Sequence, residues 1–149
     1  MKLKNILSVV SFILTAITLA SVIVMFFFMP SISKAYLDLV NTFTQERYLG
    51  VLLLGRSALV VAALALGALL LLLYNVKNEN VFSSLTQNVM TVLACCCFAE
   101  LIVFSLLARY FLLSFVIAFA ALLLGILLLV LRCVFAQAIE IKTENDFTV

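Results

Sequence analysis

The sequence has no histidine and no tryptophan, a single proline, four glycines, and charge on only 11% of its 149 residues. Without histidine the chain lacks the side chain most often used as a general base near neutral pH and as a metal ligand. The balance of 9 Lys and Arg against 7 Asp and Glu, a net charge of +2, is too small to neutralise a run of phosphates, so no direct contact with nucleic acid is expected. Glycine-rich phosphate loops, paired active-site carboxylates and nucleophile–base sets are missing as well, which argues against an enzyme and against a bound cofactor. The four cysteines are Cys95, Cys96, Cys97 and Cys133, all within apolar stretches. Three successive helical positions point in different directions, so they do not make a disulfide framework. Cys133 and the triplet differ in depth by more than about 10 Å, too far for one metal ion to use both.

What the chain has in excess is hydrocarbon. Hydrophobic residues make up 67% of it, against roughly half in a soluble domain. There is too little polar surface to cover a globule, so much of the apolar surface must face lipid. A bilayer core about 30 Å thick needs about 20 apolar helical residues, and four segments supply them: about 6–29, 49–74, 85–107 and 112–135. Backbone polar groups in lipid must be satisfied within the segment, so each is expected to be a helix. The fold class is therefore all-α: one integral membrane domain, a four-helix transmembrane bundle. Pro30 is expected to stop the first span. That span exceeds the roughly 7–15 residues of a signal-peptide core and reads as a retained anchor.

Four spans bring both termini to one side. That side would carry Lys2, Lys4, Lys77, Arg132 and Lys142, and the other Lys34, Arg47 and Arg109. The excess of positive charge places both termini in the cytoplasm. Between the first two spans, Ile32, Ala35, Tyr36, Leu39, Val40 and Phe43 recur at spacings of three and four. This pattern predicts a short amphipathic helix on the outer surface, lying on lipid or on the tops of the spans. Ser83 or Ser84 can cap the third helix, with Gln87 three residues after Ser84. The join near Ala108, Arg109 and Tyr110 is short enough to force an antiparallel hairpin. Beyond the fourth span, residues 136–149 read as a cytoplasmic helix extension with Gln137, Glu140 and Glu144 on one face, extended or disordered after Lys142.

Two charges fall inside spans, Arg56 in the second and Glu100 in the third. Intramembrane ionisable residues are costly and mark function by default. Each lies seven residues from the outer end of its span, about 10 Å deep, and the two spans are consecutive and antiparallel. Matching depth predicts an Arg56–Glu100 ion pair. Such a pair is read first as a pin fixing helix register, and otherwise as a proton, ion or polar-ligand site; alternatively Arg56 snorkels to the surface unpaired. Small residues recur four apart at Ala16 and Ala20, Ala63 and Gly67, and Ala121 and Gly125. This spacing suits close helix packing within the bundle or a homo-oligomeric face.

The closing run Ala138-Ile139-Glu140-Ile141-Lys142-Thr143-Glu144-Asn145-Asp146-Phe147-Thr148-Val149 resembles the end motif of the bacterial "domain of unknown function 2975" family. These are small four-span membrane proteins, many of which end in a similar Lys-x-Glu-Asn-Asp-Leu-Thr-Val. Phe82-Ser83 after Asn80 resembles the family's second landmark, while the third connection is shorter here than in many relatives. The resemblance implies a bacterial cytoplasmic membrane protein with no established activity. Genes of the family often neighbour those of very small helix-turn-helix regulators, which implies a membrane partner that holds or modulates a transcription factor. Glu140, Lys142, Glu144, Asn145, Asp146 and Phe147 would then form the docking tail. The rival expectation is a small transporter or immunity-type protein that uses Arg56 and Glu100.

Overall fold

The computed structural model describes the backbone of residues 2–42, 44–77 and 83–147, and the side chains of residues 8–42, 44–77 and 83–141. It holds four helices, α1 (Lys2–Leu39), α2 (Gln45–Lys77), α3 (Ser84–Leu107) and α4 (Leu113–Phe147), and no strand among the described residues. All four are long and apolar enough to cross a membrane. Their 38, 33, 24 and 35 residues make them about 57, 50, 36 and 52 Å long. Only α3 is close to the thickness of a hydrocarbon core; the other three extend well beyond it.

The first helix does not end at Pro30. Its missing N–H removes one hydrogen bond, and α1 continues through it, as helices in a hydrocarbon environment often do. The stop comes eleven residues later at Asn41, whose φ of 52° is left-handed. Asparagine tolerates that conformation better than most residues. With Asn41 so placed, its N–H donates to the Asp38 carbonyl (3.2 Å) and the Thr42 N–H to the Leu37 carbonyl (3.2 Å). This is the paired closure of a Schellman motif, and it satisfies carbonyls that the helix end would orphan.

It follows that no separate surface helix lies between the first two spans. Residues 31–39 are the last turns of α1, and their inward face is Ser33, Tyr36 and Leu37 rather than the expected stripe. Ser33 and Leu37 are almost fully buried, whereas Ile32, Leu39 and Val40 are exposed. Phe43 lies outside the described residues. The period was read correctly as helical. The buried face differs from the expected stripe because α1 carries its own phase through Pro30 to Leu39. The tail also departs from expectation: α4 is helical to Phe147, so the chain is not extended directly after Lys142. The start of α3 agrees with expectation, Ser83 being the N-cap, with its hydroxyl accepting from the Thr86 N–H at 3.3 Å.

Packing follows chain order. α1 packs on α2, α2 on α3 and α3 on α4, and among the described residues no other pair of helices is in contact through the backbone. Among the described residues α1 and α4 thus each pack their backbone on one neighbouring helix only, α2 and α3 respectively. The buried cluster of the bundle joins Ala68 of α2 to Val89 and Leu93 of α3, with Leu128 of α4 against it. Most of α1 and α4 is bare: Phe27 is 74% exposed and Leu113 73%, which suits lipid as the neighbour. At the end holding the α1–α2 and α3–α4 joins, the ring of Tyr36 meets Phe111 at 4.3 Å and Lys34 stands 5.6 Å over Tyr48. Aromatic side chains commonly occupy that level at a membrane–water interface.

The three small-residue pairs separate by environment. Gly125 faces Cys97 and Phe98 of α3, where an added Cβ would lie 3.3 Å from each. An added Cβ at Gly67 would meet nothing within 4 Å, and Ala16 and Ala20 are exposed. We expect Gly125→Leu to destabilise the α3–α4 pair by about 1–3 kcal/mol, measured as a lower unfolding midpoint in detergent. Gly67→Ala should be neutral or stabilising by up to about 1 kcal/mol.

Candidate functional site

Arg56 and Glu100 occupy neighbouring helices, and the register of α2 on α3 sets them at similar levels. Ala68 packs beside Val89 and Leu93; counting the same distance along both helices from that contact brings residue 56 to about the level of 103. Arg56 and Glu100 therefore lie within about one turn of the same level along the α2–α3 pair. The azimuth is what differs. Ala65 of α2 packs against the α2–α3 cluster, and Arg56 precedes it by nine residues, about two and a half turns. Arg56 consequently projects from the opposite side of α2, towards α1, where its guanidinium carbon stands 5.3 Å from the centre of the Phe26 ring. Beside it, Gly55 leaves room for the end of the Met29 side chain.

Glu100 belongs to the inward stripe of α3. Thr86, Leu93 and Leu107 are buried, and Glu100 lies on the same line, seven residues from each of the latter two. Its Oε2 is buried without a hydrogen-bond partner, as is the Nε of Arg56. The expected Arg56–Glu100 ion pair is not formed: the guanidinium engages an aromatic face on one side of α2 while the carboxylate lies towards the other. Two further buried polar atoms have no partner, Ser33 Oγ and Asn75 Nδ2. Asn75 was expected in the polar loop after the second span, but α2 runs on to Lys77.

Three hydroxyl groups of α1 are satisfied locally, unlike that of Ser33. Thr15 donates to the Ser11 carbonyl (2.8 Å), Thr18 to Thr15 (2.8 Å) and Ser21 to Ile17 (3.0 Å). They therefore need no partner from another helix. The cysteines are free thiols, with Cys95 and Cys133 exposed. Cys97 faces Gly125, so Cys133 lies eight residues, about 12 Å, farther along α4. Among the described residues no group of three His, Cys, Asp or Glu side chains is placed to hold a metal ion. Of the expected docking residues, Glu140 is exposed on α4. The side chains of Lys142, Glu144, Asn145, Asp146 and Phe147 lie outside the described residues, as do those of Lys2 and Lys4 and the Asn80-Phe82 landmark.

The sequence reading missed Phe26 as the neighbour of Arg56. Helical phase holds the signal: Arg56 is on the side of α2 opposite Ala58 and Ala65, small residues suited to a close helix contact.

A family model described as a protein of unknown function (DUF2975) matches residues 31–149, which covers the end of α1 and all of α2, α3 and α4. No curated protein and no solved structure is matched.

Because the two charges sit on opposite sides of α2, Arg56→Gln and Glu100→Gln should act additively. A double-mutant cycle on unfolding in detergent should give a coupling below about 0.5 kcal/mol. A coupling above about 1.5 kcal/mol would establish the ion pair instead.

Proposed function

Starting from the chain's membership of the DUF2975 family of proteins of unknown function, we propose that it is a non-enzymatic multi-pass protein of a bacterial cytoplasmic membrane acting through protein contacts, and that its partner is a small helix-turn-helix regulator held at the cytoplasmic face. The observation that carries this reading is the length of α4. Its sequence turns polar after Ile141, with Lys142, Thr143, Glu144, Asn145 and Asp146 in succession, yet the helix runs to Phe147. A helix of about 52 Å cannot be contained in a core of about 30 Å, so its last turns stand in water as a preformed rod. Gln137, Glu140 and Glu144 recur along that rod at helical spacing. The two glutamates of this polar stripe complement the basic surface with which a DNA-binding domain meets phosphate. A regulator bound there would be withheld from DNA. The excess of lysine and arginine on the side of the termini supports a cytoplasmic position for the rod.

A second reading rests on Glu100. A carboxylate oxygen buried in a span without a partner is a costly feature, and it suits a transporter or immunity-type protein with a polar site between α3 and its neighbours.

Deleting residues 143–149 is expected to abolish co-purification of a soluble regulator while leaving the membrane domain folded; undiminished recovery of the regulator would refute docking at the tail. Proton-coupled flux in proteoliposomes that is lost on Glu100→Gln would instead favour the second reading.

A further inference from the structure

On the side of the α1–α2 pair turned away from α3, a groove of about 390 Å³ runs between the helices. Val22, Phe26 and Phe27 of α1 and Leu59, Ala63 and Leu64 of α2 line it, and no polar side chain does. Phe27 and Leu64 are more than 60% exposed, so the groove is open to the bilayer along its length. Such a surface alone would need nothing more than bulk lipid. Its distinguishing feature is one end, where the guanidinium of Arg56 lies over the ring of Phe26, a lining residue.

Arg56 lacks an anion. Its Nε is buried with no hydrogen-bond partner, and a guanidinium has five N–H donors to satisfy. The only acidic side chains on α1 and α2 are Asp38 and Glu46. Glu46 precedes Arg56 by ten residues, about 15 Å along the helix. Asp38 is nine residues beyond Met29, the residue that packs at Gly55. Neither can reach. Glu100 is on the other side of α2, as shown above. The missing anion must therefore come from outside the chain, and within a bilayer the abundant anion is lipid phosphate.

The order of groups along the groove matches a phospholipid. From Arg56, α2 proceeds inward through Leu59, Ala63 and Leu64, while α1, running the other way, proceeds from Phe26 to Val22. The cation is thus at the end nearer the α1–α2 turn, and the hydrocarbon lining continues towards the middle of the membrane. Lys34 and Arg47 belong to the same end, adding positive charge where a headgroup would lie. We propose that the α1–α2 groove is a lipid site: one acyl chain of an anionic phospholipid lies along it, and the phosphate accepts hydrogen bonds from Arg56. Guanidinium and phosphate match in shape and charge; to meet the phosphate, Arg56 would extend from its place over the Phe26 ring towards the headgroup level.

The test uses the full-length protein in detergent micelles containing equal amounts of phosphatidylglycerol and phosphatidylcholine, with retained lipid counted by native mass spectrometry. We expect phosphatidylglycerol to be retained in preference by about tenfold, because the choline ammonium of the other lipid competes with Arg56 for the phosphate and repels the guanidinium. Arg56→Gln should remove that preference and Arg56→Lys should keep part of it. Ala63→Phe, which fills the groove and leaves the cation in place, should reduce retention of both lipids. The proposal is overturned if Arg56→Gln keeps the full preference, or if the Lys34→Gln/Arg47→Gln pair abolishes it with Arg56 intact. Should Arg56→Gln not fold, unchanged retention of both lipids by Ala63→Phe overturns it equally.

Discussion

A peptide group in hydrocarbon has nowhere to send its N–H and C=O except to another peptide group, and this constraint governs the whole chain. It forces each apolar segment into a helix that satisfies itself, without help from strong helix–helix contacts. That is why four helices packed in chain order, with α1 and α4 largely bare, are an adequate structure here and would not be in water. It also explains the treatment of Pro30. Ending a helix within the bilayer would orphan up to four carbonyls, whereas running through a proline orphans about one. At Asn41 the chain leaves α1 with the carbonyls of Tyr36, Leu37 and Asp38 closed locally.

Against this background the few buried polar atoms stand out. Ser33, Arg56, Asn75 and Glu100 each hold one atom without a partner, while Thr15, Thr18 and Ser21 of α1 are satisfied by their own helix. The two charged residues divide the molecule. Arg56 belongs to the α1–α2 pair and its lipid-facing groove; Glu100 belongs to the inner stripe of α3 with Leu93 and Leu107. A cation directed to the bilayer and a carboxylate directed into the bundle are suited to different tasks, and neither requires the other.

The central part of every span was legible from composition and length alone, because a run of some twenty apolar residues has few alternatives. Ends were harder to read. Pro30 is the expected stop because proline disfavours a helix, yet α1 ends at Asn41, which tolerates the left-handed conformation that closes a helix. The far end of α4 was drawn too short because Glu144, Asn145 and Asp146 look like solvated chain; their low apolar content says nothing against helix once a long helix is already nucleated. Depth of Arg56 and Glu100 followed from counting residues. Azimuth did not, since it depends on which face of α2 each neighbour takes, and that is fixed by small contacts such as Ala65 and Ala68 against Val89 and Leu93.

The account stands on four crossings of one bilayer, and side-specific labelling of single cysteines in sealed vesicles tests that most directly. With the four native cysteines replaced, Asn41→Cys and Arg109→Cys should react with an impermeant thiol reagent from one side only, and Lys77→Cys and Gln137→Cys from the other. Reaction of Asn41→Cys and Lys77→Cys from the same side would mean that α2 does not cross, and the threading would be wrong.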